Sequence, residues 1–290
     1  MNAPITQLIH TQLDAVYSAD AVAPPSAAVP RRRWRLGPGR AIPYGRAIGP
    51  ILLLLLWFGA SALGLIDPRI LPAPWTVVQA ALDLISDGRL QDNLETSAIR
   101  AGQGFAYGVL GGVVVALLAG LTRFGEYTLD GLVEVKRAIP TLALIPLLML
   151  WLGIGETMKV TIIALGVFAP VYINTFAGLR GIDSKYVELA ETLKVSHWSF
   201  LRHVVLPGAL PGFLLGLRFG VNAAWLTLVV VEQLNATSGI GYMIDLARTY
   251  GQTEIVLVGI CVYALLGLTS DGIVRLIQRR VLSWRRTLAD

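Results

Sequence analysis

Apolar residues fall in six long runs separated by polar stretches: 48–66, 101–121, 138–154, 160–179, 211–231 and 255–274. A bilayer-crossing helix needs ~20 predominantly apolar residues. The pattern therefore predicts an all-α polytopic membrane protein with about six transmembrane helices. The third run is short and carries Pro140 and Pro146. Because proline removes a backbone donor and breaks regular helix, a discontinuous or kinked segment is predicted there, starting near Glu126. Two runs carry glycine at every fourth residue: Gly104, Gly108 and Gly112 in the second, Gly212, Gly216 and Gly220 in the fifth. Small stripes let helix backbones approach closely in lipid, so ordinary helix packing, within or between subunits, is their expected use.

Composition supports this pattern. Of 290 residues, 54% are hydrophobic and only 15% charged, well under the roughly 25% charged of soluble domains. The 24 basic residues exceed the 19 acidic ones, but they lie between apolar runs and at the chain ends rather than on one solvated patch, so nucleic acid is not an expected partner. Their distribution predicts orientation instead. With the N-terminus cytoplasmic, the cytoplasmic segments hold 16 basic residues, and the opposite loops hold only Arg69, Arg89, Lys159 and Arg248. The positive-inside rule then places both termini in the cytoplasm. Residues 1–46 read as a cytoplasmic tail, disordered and then basic, 47–280 as the transmembrane domain, and 281–290 as a second cytoplasmic tail. Residues 1–30 contain no Lys or Arg, which removes the charged start of a signal peptide.

Candidate chemistry is sparse. Cys261 is the sole cysteine, His10, His197 and His203 form no H-E-x-x-H, and there is no G-x-S-x-G. No metal site or catalytic residue is expected. No lysine follows a glycine, so the phosphate-cradling P-loop is missing and ATP is not bound here in that way. Ionisable residues in apolar runs are costly and default to function. Arg218, Asn222 and Trp225 share one helix face, turned roughly 200° from Gly216 and Gly220, and are candidates for a translocation path. The rival use of Arg218 is snorkelling or a structural pair with an acidic residue. Lys136 and Arg137 read either as guides for a departing anion or as interfacial anchors. Glu232, at the outer end of the fifth run, joins the path candidates, with capping and gating both open.

The segment 181–207 is long enough to cross a membrane, yet it holds Asp183, Lys185, Glu188, Glu191, Lys194 and Arg202. Six charges at ~2.5 kcal/mol each near the bilayer centre exclude a crossing, which leaves a cytoplasmic loop. Residues 186–194 predict a short helix with Val187, Ala190 and Leu193 on one stripe. Ser196 is placed to cap a second helix that Pro207 ends or restarts. Glu188-Leu189-Ala190, then Lys194, then Val204 and Leu206-Pro207 match in every spacing the EAA loop of ABC-importer permeases, E-A-A, three residues, G, nine residues, I-x-L-P. Leu189 replaces the first Ala, and Lys194 stands where that family has the Gly of a tight turn. The blocks RILPAP (69–74), IPTLALIPLLMLWLGIGE (139–156), FAPVYINTFAGLRGID (168–183) and SGIGYMI (238–244) resemble the nitrate/taurine/sulfonate branch, and above all the aliphatic-sulfonate permeases.

The resemblance implies a transport subunit rather than an enzyme, acting with a second copy of itself, two copies of an ABC ATPase and a periplasmic solute-binding protein. Glu188, Leu189, Ala190, Glu191, Lys194, Val204, Leu206 and Pro207 would couple it to the ATPase. No cofactor is expected on this chain, ATP and Mg being held by the partner. Movement of a small organic anion, sulfonate first and taurine, nitrate or bicarbonate as alternatives, would follow from alternating access across the inner membrane. A secondary transporter would commonly show inverted repeats and buried coupling-ion ligands, and no internal repeat is found. An intramembrane enzyme would need a paired nucleophile and base, and none is present.

Overall fold

The computed structural model describes residues 45–283; the tail expectations for residues 1–44 and 284–290 lie outside the described residues. The described part consists of helices α1 (Gly45–Ala62), α2 (Pro74–Ser86), α3 (Arg89–Leu121), α4 (Arg123–Ala138), α5 (Thr141–Leu152), α6 (Glu156–Arg180), α7 (Ser184–Thr192), α8 (His197–Asn235), α9 (Ile240–Thr249) and α10 (Thr253–Val281). No strand occurs among the described residues.

The chain divides into a unit ending at Leu54 and a unit beginning at Leu55. Of the first, the opening of α1 is described, with Ile48 and Ile51 to Leu54 all exposed.

Helices α3, α6, α8 and α10 are each long and apolar enough to cross a membrane. The predicted break is present: α4 and α5 bend by 88° about Pro140, and α4 starts at Arg123, with a π-helical turn from Glu126 to Asp130. Counted as one span, the bent pair makes a fifth; the apolar part of α1, Ile48–Ala62, is shorter than a full crossing. Six crossings thus require both α1 and the bent pair to count.

The core is built around α6. Met158, Ile162, Ile163, Val167 and Val171 along it are fully buried, packed against Ala101 of α3, Ile145 and Leu148 of α5, and Ala224, Leu228 and Val231 of α8. Both glycine stripes serve this contact. An ideal Cβ on Gly108 would stand 2.6 Å from the Ala164 carbonyl oxygen of α6, and one on Gly212 would stand 2.4 Å from that of Asn174. The stripes seat α3 and α8 side by side on α6, both meeting Val167 and Val171, which places their contacts within the subunit. A second core joins Val77 and Leu84 of α2 to Ile240, Met243 and Ile244 of α9 and Val258 of α10. Edge-to-face contact between Phe58 and Trp75, centroids 5.7 Å apart, ties the end of α1 to α2.

Pro207 stands in the first turn of the regular α-helix that restarts at Leu206, yet the helical run is unbroken for 39 residues from His197 to Asn235. Leu201–Val205 form a π-helical turn, with the Leu206 N–H donating to the Leu201 carbonyl five residues back. Widening the turn immediately before Pro207 gives its ring room that a regular i−4 turn would deny.

Candidate functional site

The charged loop folds as two helical arms. Asp183 opens α7 by accepting from the Lys185 N–H, 3.0 Å. Ser196 caps the second arm as predicted, its hydroxyl accepting from the Ser199 N–H at 3.3 Å. Between them, Val195 N–H donates to the Ala190 carbonyl (2.9 Å) and Lys194 N–H to that of Glu191 (3.1 Å). This pair of reversed bonds closes a helix C-terminus and demands a left-handed residue just beyond it. That residue is Lys194, φ +51°, the one non-glycine with positive φ among the described residues. Lys194 therefore makes the tight turn a glycine would make. Val187, Ala190 and Glu191 on α7 and Val195, Phe200 and Leu201 beyond the turn border a 390 Å³ groove reaching Leu121 of α3. Leu193, predicted on the same stripe as Val187 and Ala190, is 65% exposed instead. Glu188 and Leu189 face solvent, as does Leu206, whereas Val204 and Pro207 are half-buried.

Of the path candidates, Arg218 and Trp225 both reach neighbouring residues of α10. Arg218 donates from Nε to Asp271 Oδ1 of α10, 2.7 Å, and Arg275 pairs with the other oxygen of the same carboxylate. Trp225 Nε1 donates to Ser270 Oγ at 3.1 Å, and Asn222 is exposed. Arg218 thus has the acidic partner of its structural reading. Trp225 also borders a 370 Å³ cavity between α3, α8 and α10 whose lining is almost wholly apolar. Lys136 on α4 donates to the Leu165 carbonyl, 2.6 Å, and to Thr141 Oγ1, 3.2 Å.

Glu232 sits in a dense polar network, linked to Trp225 through Tyr263, whose ring lies edge-on to the indole with centroids 6.4 Å apart. It is 1% exposed and its carboxylate accepts from Ser97 Oγ (2.8 and 2.9 Å), Arg100 Nη1 (2.8 Å), Gly241 N–H (2.9 Å) and Tyr263 OH (3.0 Å). Arg100, 3% exposed, also grips Glu156 with two bonds, Nε to Oε2 at 2.5 Å and Nη2 to Oε1 at 2.7 Å. Its remaining protons reach the Ser238 carbonyl (2.6 Å) and hydroxyl (3.1 Å). Lys159, 4% exposed, donates to Glu156 Oε1 at 2.9 Å. Two cations and two carboxylates cancel, so the cluster can be buried without net charge.

These residues come from the first half of α3, the start of α6, the end of α8, the start of α9 and the first half of α10. All lie at the end of the bundle remote from the 181–207 loop. From the sequence, Lys159 is expected as a loop charge, and Arg100 is not among the candidate residues. The missed signal is that Arg100, Glu156, Lys159 and Glu232 each fall within a turn of an apolar run's boundary, where an ionisable residue needs a partner.

Residues 108–283 match the family of binding-protein-dependent transport system inner membrane components. The chain belongs to that family. Among this permease's relatives, the putative aliphatic sulfonates transport permease protein SsuC of Escherichia coli (strain K12) is 42% identical over 257 residues, 89% of this chain and 95% of that one. The protein of the same description from Bacillus subtilis (strain 168) is 41% identical over 87% of this chain and 92% of its own. The taurine transport system permease protein TauC of Escherichia coli (strain K12) is 35% identical over 88% and 94%. In fold, the permease resembles a chain of the amino acid ABC transporter crystallised with histidines, TM-score 0.57, 22% identity, covering 71% of this chain and 97% of that one. The permease is a multi-pass inner-membrane subunit of an ABC importer, in the sulfonate/taurine branch. It is a transport subunit and not an enzyme, ATP hydrolysis belonging to a separate subunit, and family membership brings with it ATPase and substrate-binding partners.

Proposed function

We propose that this permease moves a small organic anion, an aliphatic sulfonate, inward across the inner membrane by alternating access. The observation that carries the substrate is 41–42% identity over nearly the whole chain to two proteins described as aliphatic sulfonate permeases. The 35% identity to a taurine permease keeps the headgroup the same, taurine being itself a sulfonate, and makes it the first alternative.

Two copies of the permease would work with two ATPases and one periplasmic binding protein, both termini lying in the cytoplasm in keeping with the charge distribution. ATP and Mg would be held by the ATPase, with no cofactor on this chain. The 181–207 loop, two helical arms around the Lys194 turn, is the surface on which ATPase closure would act. Glu188, Leu189, Glu191 and Lys194 are the exposed members of its first arm and turn, with Ala190 half-buried among them, and Val204, Leu206 and Pro207 would lead motion directly into α8, because no break separates the second arm from that helix. Arg218, Asn222, Trp225 and Glu232 remain the residues proposed to shape the path. For Glu232 the shaping is indirect, through the network it anchors.

The test is growth and uptake. A strain lacking its own sulfonate importers, given this permease with its neighbouring ATPase and binding-protein genes, is expected to use ethanesulfonate as sole sulfur source and to accumulate the labelled compound. Accumulation of nitrate or bicarbonate with no sulfonate uptake would replace the substrate, and transport without any ATPase would replace the class.

A further inference from the structure

The two carboxylates of the buried network are held in opposite ways. Glu232 has no exposed side-chain surface and takes bonds from a hydroxyl, a phenol and a backbone amide as well as from Arg100. Glu156 is 59% exposed at its side chain, and every bond made to it comes from a cation: Nε and Nη2 of Arg100, and Nζ of Lys159. Those two cations are almost fully buried, and among the described residues Lys159 has no other carboxylate within ion-pair distance. Glu156 is therefore a lid of one negative charge over a cationic pair.

The lid also borders a cavity. A space of 550 Å³ lies between α3 and α6, within the size range of small-molecule sites. Gln103, Tyr107, Thr157 and Thr161 give its wall polar groups beside Glu156, while Val160 and Phe168 give it apolar ones.

We propose that Glu156 is an exchangeable counter-anion, and that a singly charged oxyanion takes its place on Arg100 and Lys159 at this cavity. If the Glu156 side chain swings outward, three N–H donors lose their acceptor at once. A sulfonate offers three oxygens and one negative charge, so it can meet all three while the buried cluster stays neutral. Charge-assisted bonds of this kind are the strong ones, and the planar guanidinium suits an oxyanion with two parallel bonds. Glu232 holds Arg100 in place during the exchange, because its own bonds to Ser97, Gly241 and Tyr263 are untouched. The alkyl portion would lie toward Val160 and Phe168. The site is at the end of the bundle opposite the loop, where an anion arriving from a periplasmic binding protein would first meet the permease. That ligand assignment rests on the sulfonate reading above; the oxyanion site itself does not.

The test measures binding rather than stability. Full-length permease in lipid nanodiscs is titrated with labelled ethanesulfonate, in parallel with nitrate and acetate. Wild type must displace its own carboxylate and is expected to bind weakly. Glu156→Gln removes the competitor and is expected to bind ethanesulfonate at least tenfold more tightly, and Lys159→Gln added to it is expected to cancel the gain. Equal or weaker binding by Glu156→Gln overturns the proposal. Should that variant fail to accumulate, Glu156→Asp, too short to span both cations, is expected to bind severalfold more tightly than wild type, and an unchanged constant overturns the proposal equally. A gain for nitrate or acetate but none for ethanesulfonate supports the site and overturns the sulfonate assignment. Ethanesulfonate uptake by the intact importer with no gain in Glu156→Gln leaves the function standing and removes the site.

Discussion

Gly239 lies so close to Glu232 that an ideal Cβ on the glycine would stand 2.3 Å from the carboxylate Oε1. Gly239 also has φ +113° and ψ 163°, a region essentially reserved for glycine. The missing side chain leaves the space in which Glu232 receives Arg100, and the residues after it supply the Gly241 amide to that carboxylate and the Ile240 amide to Ser97 Oγ. The SGIGYMI block is therefore a cradle for a buried acid.

Gly239→Ala should collapse that cradle. Breaking a buried ion pair from one side costs about 3–5 kcal/mol, with backbone strain added. Accumulation in the membrane and thermal stability in detergent are expected to fall sharply. Gly251→Ala, at φ +69° with nothing within 4 Å, is expected to show only the milder backbone cost.

Lys194 carries a left-handed backbone without glycine's freedom. An L-residue pays roughly 1–2 kcal/mol there, of which glycine's greater chain entropy returns part. Lys194→Gly is thus expected to raise stability by about 0.5–1 kcal/mol with the 181–207 loop intact, and Lys194→Val to lower it. Thermal unfolding of the full-length variants reads both signs.

The glycines of α8 separate tight contact from mere helix composition. Gly212→Ala would press a methyl to 2.4 Å from the Asn174 carbonyl and 2.9 Å from Gly178 Cα, and overpacking of this kind costs about 1–3 kcal/mol. Gly267→Ala on α10 meets nothing within 4 Å and should be neutral or stabilising by up to ~1 kcal/mol. Opposite signs in the two melting temperatures are the expected result.

Glu188 is exposed on α7, free for a partner's basic groups. An exposed pair is worth only about 0–1 kcal/mol, so a coupling role requires burial on docking, where reversal costs roughly 2–5 kcal/mol. Glu188→Lys is expected to abolish co-purification of the ATPase and substrate-stimulated hydrolysis at normal membrane abundance. Wild-type values for both would make the loop a connector.

Orientation has a direct readout. A reporter active only in the periplasm should be silent when fused after Asp290 and active when inserted near Asp87, between α2 and α3. The reverse pattern would invert the assignment.

Hydropathy located every long helix but not its length. Helix α3 begins at Arg89, twelve residues before its apolar run, because 89–100 is polar and still helical. Proline chemistry located the bend at Pro140 and the restart of regular helix at Pro207, but not the π-helical turn that keeps the helical run unbroken there. Spacing alone singled out Lys194 as the turn position of the 181–207 loop; that Lys194 takes the left-handed conformation there followed from two hydrogen bonds made across the turn.

Local pattern was sufficient for class, helix placement and the loop, because apolar periodicity, charge position and motif spacing act over neighbouring residues. The network was not accessible in that way. Arg100, Glu156 and Glu232 are separated by 56 and 132 positions from the first to each of the others, and nothing local to any of them names its partner. Their meeting depends on α3 and α8 both seating on α6 through glycine contacts. Burial then makes the pairing obligatory, since an unpaired charge at that depth would cost more than the helices could offset.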